Sequence, residues 1–206
     1  MKPVKATMSQ VMSSTHTQRL QNLLWGKEVD RPLFCAWSHA MNFCDRNAKD
    51  FAKAIIDFQN AHDFDFIKVM SNPYYMLEDM GIVLNAPRRY DQCVTRSDKL
   101  LVPLPKHWEA MTFPKVNTGS LAREREAICR IIEYYHGTVP VIATIFTPAM
   151  WVTYSALQSA DMKRAEEQFG SYVPLLERYL TDNEHYVRSA LDRFAEVNQQ
   201  YMEKLL

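Results

Sequence analysis

The amino-acid sequence predicts an α/β fold built on parallel strands, and three observations carry that reading. Short, uniformly apolar runs at Leu33–Trp37, Phe66–Met70 and Val139–Phe146 have the character of strands buried on both faces. Between the first two lies Ala48–Ala61, where Phe51, Ile55 and Phe58 at i, i+4 and i+7 form the stripe of a helix packed against a sheet. The resulting strand–helix–strand order is the unit in which a helix crosses between parallel neighbours.

In order along the chain, residues 1–16 read as a loose arm and a helix follows from about Thr17 to Trp25, stopped by Gly26. Asp30-Arg31-Pro32 is a turn, and a proline entering a strand removes no ladder hydrogen bond. Four prolines (Pro87, Pro103, Pro105, Pro114) break the stretch from Asn85 to Asn117, which reads as a long loop with room for a short hairpin. Thr118 to Tyr135 is a helix, with Leu121, Ile128, Ile131 and Ile132 on its apolar face and Gly137 beyond its end. From Ser159 onward the pattern is helical. The last helix, from about Asp182, carries Val187, Leu191, Phe194 and Tyr201 in a stripe expected to lie on the outside of the sheet.

The chain has 206 residues, with 24 lysines and arginines against 24 acidic residues, so its net charge is zero. No basic excess is available for phosphates, and nucleic-acid binding is not expected. No run approaches the roughly 18 apolar residues of a membrane span, and the polar N-terminus lacks a secretory core, so the expected compartment is cytoplasmic. Cys35, Cys44, Cys93 and Cys129 form no C-x-x-C pair and read as buried, reduced thiols. The spacing of Cys35, His39 and Cys44 matches no common zinc pattern.

Arg19, Trp25-Gly26 and Val29-Asp30-Arg31-Pro32, leading into the first apolar run, follow the pattern "R-x-x-x-x-L-x-G-x-x-V-D-R-P". With Asp65-Phe66-Ile67-Lys68-Val69-Met70 and then Glu78-Asp79-Met80-Gly81, this order resembles the uroporphyrinogen decarboxylase superfamily. That superfamily also contains methyltransferases acting on corrinoid-bound methyl groups. The resemblance implies a (β/α)8 TIM barrel, of which the chain carries the N-terminal portion with about three parallel strands. Residues 1–206 are then expected to be one such domain, incomplete at its C-terminus, since eight strands take about 250 residues or more.

The same resemblance implies candidate site residues. Aligned on Asp65 and Gly81, Glu78 falls on a family glutamate, and the aspartate that holds pyrrole N–H groups in the decarboxylases falls on Asn72, after Ser71. Asparagine brings one acceptor oxygen and no charge. The decarboxylases' "R-Q-A-G-R" arginine pair is replaced by Ser38-His39-Ala40-Met41-Asn42. The family's proline and tyrosine six residues apart are kept as Pro148 and Tyr154. Tyr154 and Asn72 are therefore the candidate catalytic positions, and His39, Ser71, Trp151 and Met150 the candidate substrate contacts. Glu78 and Asp79 also suit a helix start, where acidic residues complement the dipole. Lys68, inside a strand, has to project into the barrel or pair with a carboxylate.

Three functions follow as expectations. The first is a divergent, lyase-like member of the decarboxylase family handling a tetrapyrrole or corrinoid-linked substrate. The second is a corrinoid-dependent methyltransferase whose zinc-binding half lies beyond residue 206, because the family's His-x-Cys pair occurs nowhere in the chain. The third is a non-catalytic fragment or assembly subunit. No cofactor is expected within the chain itself; zinc and a corrinoid enter with the second reading. The isolated chain is expected to be inactive, and to self-associate or to need the remaining half of the barrel.

Overall fold

The computed structural model describes residues 14–38, 44–86, 93–97, 99, 101–102, 106–157, 163–164, 166–168, 170–171 and 173–206. Helix α1 (His16–Leu24) is closed by a reciprocal cap: the Thr15 hydroxyl accepts from the Gln18 amide, and the Gln18 side chain accepts from the Thr15 amide. Gly26 stops the turn that follows with φ +64. Helix α2 (Ala48–His62) starts at Asn47, whose side-chain oxygen accepts from the Lys49 and Asp50 amides. Strand β1 (Ile67–Val69) and the short helix α3 (Tyr75–Glu78) come next.

The proline-rich region contains a two-residue antiparallel ladder between β2 (Leu84–Asn85) and β3 (Thr95–Arg96), followed by α4 (His107–Ala110). Helix α5 (Gly119–Tyr135), strand β4 (Val141–Ala143), α6 (Pro148–Ala156), α7 (Val173–Asp182) and α8 (Glu184–Leu205) complete the described chain. The fold is mixed α/β, mostly helical, with few strands.

β1 and β4 pair in parallel, Ile67 opposite Val141 and Val69 opposite Ala143, and the Ile67 amide donates to the Pro140 carbonyl at 2.8 Å. The second and third predicted strands are thus neighbours as expected, although each strand spans only three residues. The first predicted strand, Leu33–Trp37, does not join them. The Phe34 carbonyl accepts from the Asp65 amide (2.9 Å), but the Phe34 amide donates to the Asp65 side chain (2.7 Å) instead of to a strand carbonyl. A carboxylate has taken the place of the backbone acceptor, and among the described residues Leu33–Trp37 forms no strand of the sheet.

Two cores hold the molecule. In one, Phe51 and Ile55 of α2 and Ile128 and Ile131 of α5 cover one face of the parallel pair through Ile67 and Val69. In the other, Met76, Leu77, Trp108, Trp151, Phe194 and Tyr201 join α3, α4, α6 and α8. The α8 stripe is therefore not on the outside of the sheet. Val187, Phe194 and Tyr201 are buried against α6 and α4, which supply the apolar partners that the strands were expected to provide.

Among the described residues, the face of the parallel pair opposite α2 and α5 is open. Trp37 is 42% exposed there and Ile142 41%, whereas Phe34, 62% exposed, packs on Phe64 on the α2 side. Lys68, on this face, meets no carboxylate partner among the described residues; its ammonium lies 4.5 Å from the Trp37 ring centroid. The cysteines also depart from expectation. All four are free, but Cys35 and Cys44 are only half-buried, and Cys93 and Cys129 are exposed. Cys129 belongs to α5 but lies off its packed face.

Candidate active site at the carboxyl ends of the parallel strands

β1 and β4 run the same way, so the segments leaving them, Met70–Tyr74 and Thr144–Thr147, emerge at one end. In α/β folds this carboxyl end is where ligands bind, because the connecting loops converge there. Tyr75 spans the two segments, its hydroxyl 3.4 Å from the Thr144 carbonyl. Thr147 caps α6 by accepting from the Met150 amide, and Pro148 occupies the first turn, where its absent N–H costs nothing. One turn further along α6, the Tyr154 ring packs on Tyr74 with centroids 4.9 Å apart and planes inclined at 55°.

Asn72 is fully buried, and its amide is committed on both sides. Its Nδ2 donates to Asp45 (2.9 Å) and Glu78 (2.7 Å), while its Oδ1 accepts from the Tyr74 amide at 2.9 Å. Its backbone amide also donates to Asp45, at 2.8 Å. The next residue back, Ser71, donates its hydroxyl to the Glu124 carboxylate. Glu78 in turn receives Arg123 at 2.9 and 3.0 Å and Arg46 at 2.9 Å. Among the described candidate residues, Ser71 and Asn72 are thus brought together, and Tyr74 connects them to Tyr154.

Trp151 and Met150 take different positions. Trp151 is wholly buried, its ring edge-on to Tyr75 and Phe146, and belongs to the core instead of lining a pocket. Met150, half-buried, lies in the first turn of α6. His39 lies outside the described residues. Glu78 and Asp79 do not open a helix: Glu78 ends α3, and Asp79 reaches across to cap α5 by accepting from the Ser120 amide (2.8 Å) and hydroxyl (3.0 Å). The α5 N-terminus needs this distant cap because Thr118 makes no side-chain cap bond. Gly119 permits it: φ is +61, and a Cβ there would run into the Asp79 carboxylate.

Sequence reasoning missed Asp45, Arg123 and Glu124. Glu124 left a signal, because it falls on the apolar stripe of α5 between Leu121 and Ile128, three and four residues away. A carboxyl on a packed face demands partners. Burial pushes the Glu124 carboxyl up to about 7, against the pull of Ser71 and Arg123. Burial likewise raises Asp45 despite the two Asn72 donors. For Arg123, burial lowers the guanidinium's affinity for its proton, yet Glu78 and Glu124 outweigh it and leave the group raised. Asp45 had no comparable signal, since it sits in an irregular stretch of polar residues.

The fold is shared with a solved structure, a methyltransferase from Methanosarcina mazei, at a TM-score of 0.59 and 18% sequence identity. The match covers 91% of this chain and 56% of that one, so the chain spans little more than half the length of the protein it resembles. No protein-family model matches the chain, and no curated protein matches it. Among the described residues no helix is long and apolar enough to cross a membrane.

Proposed function

We propose that this chain is the front portion of a (β/α)8 barrel of the uroporphyrinogen decarboxylase-like kind, and that the protein it builds is a corrinoid-dependent methyltransferase. The observation that carries this reading over decarboxylation is the state of Asn72. Its acceptor oxygen is taken by the Tyr74 amide and both its N–H bonds by carboxylates, and the residue is out of contact with solvent. With one acceptor oxygen, already engaged and shielded, it is poorly suited to hold the several converging N–H groups of a tetrapyrrole. The missing arginine pair after Trp37 points the same way, as does the likeness to a methyltransferase. Handling of a tetrapyrrole by a lyase is the weaker reading.

In this proposal Tyr154 and Tyr74 offer phenol groups at the mouth of the barrel, and Asn72 fixes the backbone from which Tyr74 projects. Zinc does not fit the chain's own residues: no group of three or more His, Cys, Asp or Glu side chains among those described is arranged to hold a metal ion. Zinc and the corrinoid would be held largely by parts of the protein outside this chain. Trp37 and Ile142 would face the barrel interior, covered by the remaining strands or by a second copy.

The experiment uses purified protein that includes the parts outside this chain on which the proposal relies, in a methylcobalamin titration read by aromatic fluorescence and a coproporphyrinogen assay. Methylcobalamin is expected to bind, and Tyr154→Ala to weaken it at least tenfold, while uroporphyrinogen is not decarboxylated. Formation of coproporphyrinogen, or no methylcobalamin binding by wild-type protein, would overturn the reading.

A further inference from the structure

Behind the carboxyl ends of the strands lies a cluster, buried at Asp45 and Glu124 and partly exposed at Arg46, whose charges do not balance among the described residues. Three carboxylates, Asp45, Glu78 and Glu124, face two guanidinium groups, Arg46 and Arg123, among the described residues. Arg123 bridges Glu78 and Glu124, the latter at 3.2 Å. Arg46 lies 2.9 Å from Glu78 and 3.9 Å from Asp45. The other groups facing Glu124 are the Ser71 hydroxyl from the end of β1 and two phenols, Tyr75 of α3 and Tyr201 of α8. Burial raises the pKa of both phenols, so they stay neutral; Arg125 and Cys129 of α5 act on Tyr201.

We infer that this cluster is a proton-operated latch: one proton on Glu124 offsets the unmatched charge and keeps Ser71–Tyr74 seated on α5, and its loss frees that segment. Glu124 is the proton's place because its two neighbouring carboxylates have better claims to charge. Glu78 faces both guanidinium groups, and one oxygen of Asp45 accepts two N–H bonds from Asn72. Glu124 has only Arg123, which it shares, and Ser71. A neutral carboxyl and a hydroxyl can each donate or accept, so protonated Glu124 stays satisfied against Ser71. An ionised Glu124 adds a charge to a buried site without a matching cation, and water reaches it most readily if the covering segment opens. That segment carries Asn72 and Tyr74, so the latch sets the geometry of the candidate site. The inference does not depend on the reaction catalysed.

Amide hydrogen exchange at Ser71, Asn72, Tyr74 and Tyr75, corrected for the chemical exchange rate, tests it between pH 5 and 8. Release of a single proton on opening requires the opening constant to rise by about tenfold per pH unit until Glu124 ionises in the closed form, and then level off. Glu124→Gln should show no such slope. A flat wild-type profile, or the same slope in the variant, overturns the latch. The carboxyl carbon chemical shift of Glu124 in wild-type protein gives a check that needs no variant. Titration near neutrality is expected, and titration complete by pH 5 overturns the proposal.

Discussion

Arg19 donates to Asp65 at 2.5 Å, and both side chains are almost entirely shielded from solvent. Arg19 also grips Asp30 at 2.7 and 2.9 Å, and Arg31 reaches the same Asp65 carboxylate at 2.5 and 2.8 Å. The opening arginine and the Asp30-Arg31-Pro32 turn therefore act together as a clasp on the residue that leads into β1. The motif that carries the family resemblance is structural in this chain, and it lies at the end of the strand away from the candidate site.

Asp65→Asn should destabilise the protein by about 3–5 kcal/mol, because it leaves two guanidinium groups without their shared partner in a buried setting. Arg31→Ala should cost about 1 kcal/mol or less, since its side chain is 46% exposed and the pair is partly screened. Urea denaturation of the two variants checks the ranking. Equal losses would mean that the clasp does not centre on Arg19.

Stability should be greater on the acid side of neutrality than on the alkaline side. Burial alone would raise the Asp65 carboxyl, but Arg31, the Phe34 amide and Arg19 draw it down to about 2 from 3.8. Its contribution is present above about pH 4 and is lost as pH falls toward 2. Glu124 is shifted the other way, from 4.5 to about 7, so its contribution is full below about 4.5 and gone above 7. Thermal melts should give a higher Tm at pH 5 than at pH 8. The reverse order would contradict the Glu124 assignment.

Asn72→Asp should destabilise the protein by about 2 kcal/mol or more and should not create a decarboxylase. The substitution removes the two N–H donors and sets a third carboxylate against Asp45 and Glu78. Denaturation midpoint and a coproporphyrinogen assay on the same sample test both halves.

Gly119→Ala should cost about 1–2 kcal/mol, combining a left-handed backbone with displacement of the Asp79 cap. In a chain of this size that corresponds to a fall in Tm of several degrees. Asp79→Ala in the Gly119→Ala background should add little, because the cap is already lost. Full additivity of the two would show that the cap survives.

Trp151 and Tyr154 should separate cleanly. Trp151→Ala opens a cavity in the α6–α8 core and should cost about 3–5 kcal/mol. Tyr154→Phe keeps the ring against Tyr74 and should leave stability within about 1 kcal/mol of wild type, while changing ligand binding if the phenol belongs to the site.

The helices were readable because each advertises its buried side by spacing: Phe51 and Ile55 on α2, Leu121 and Ile128 on α5. The parallel pairing was readable from uniformly apolar runs, and the clasp residues from a motif. Leu33–Trp37 misled, because apolar composition predicts burial but not which acceptor the Phe34 amide finds. The α8 stripe is legible in the sequence, but its partners α4 and α6 are not, since periodicity shows which side packs and not what it packs against. In the candidate site, Asn72 and Ser71 were legible by position. Asp45 was not, because its role exists only once the segment before α2 meets the end of β1.

The pairing of Ile67 with Val141 also sets an order of events during synthesis and folding. β1 is made early, but its parallel partner emerges only after α3, the β2–β3 ladder, α4 and α5. Until then Ile67 and Val69 can be sheltered on one flank by α2, while the flank later taken by α5 stays wet. The Thr17 hydroxyl donates to the Gly137 carbonyl at 2.7 Å, so α1, already held to Asp30 and Asp65 through Arg19, gains this further anchor only when the far end of α5 is in place. Contacts that close such long stretches of chain form slowly. β1 is therefore translated well before the pairing that fixes it can form.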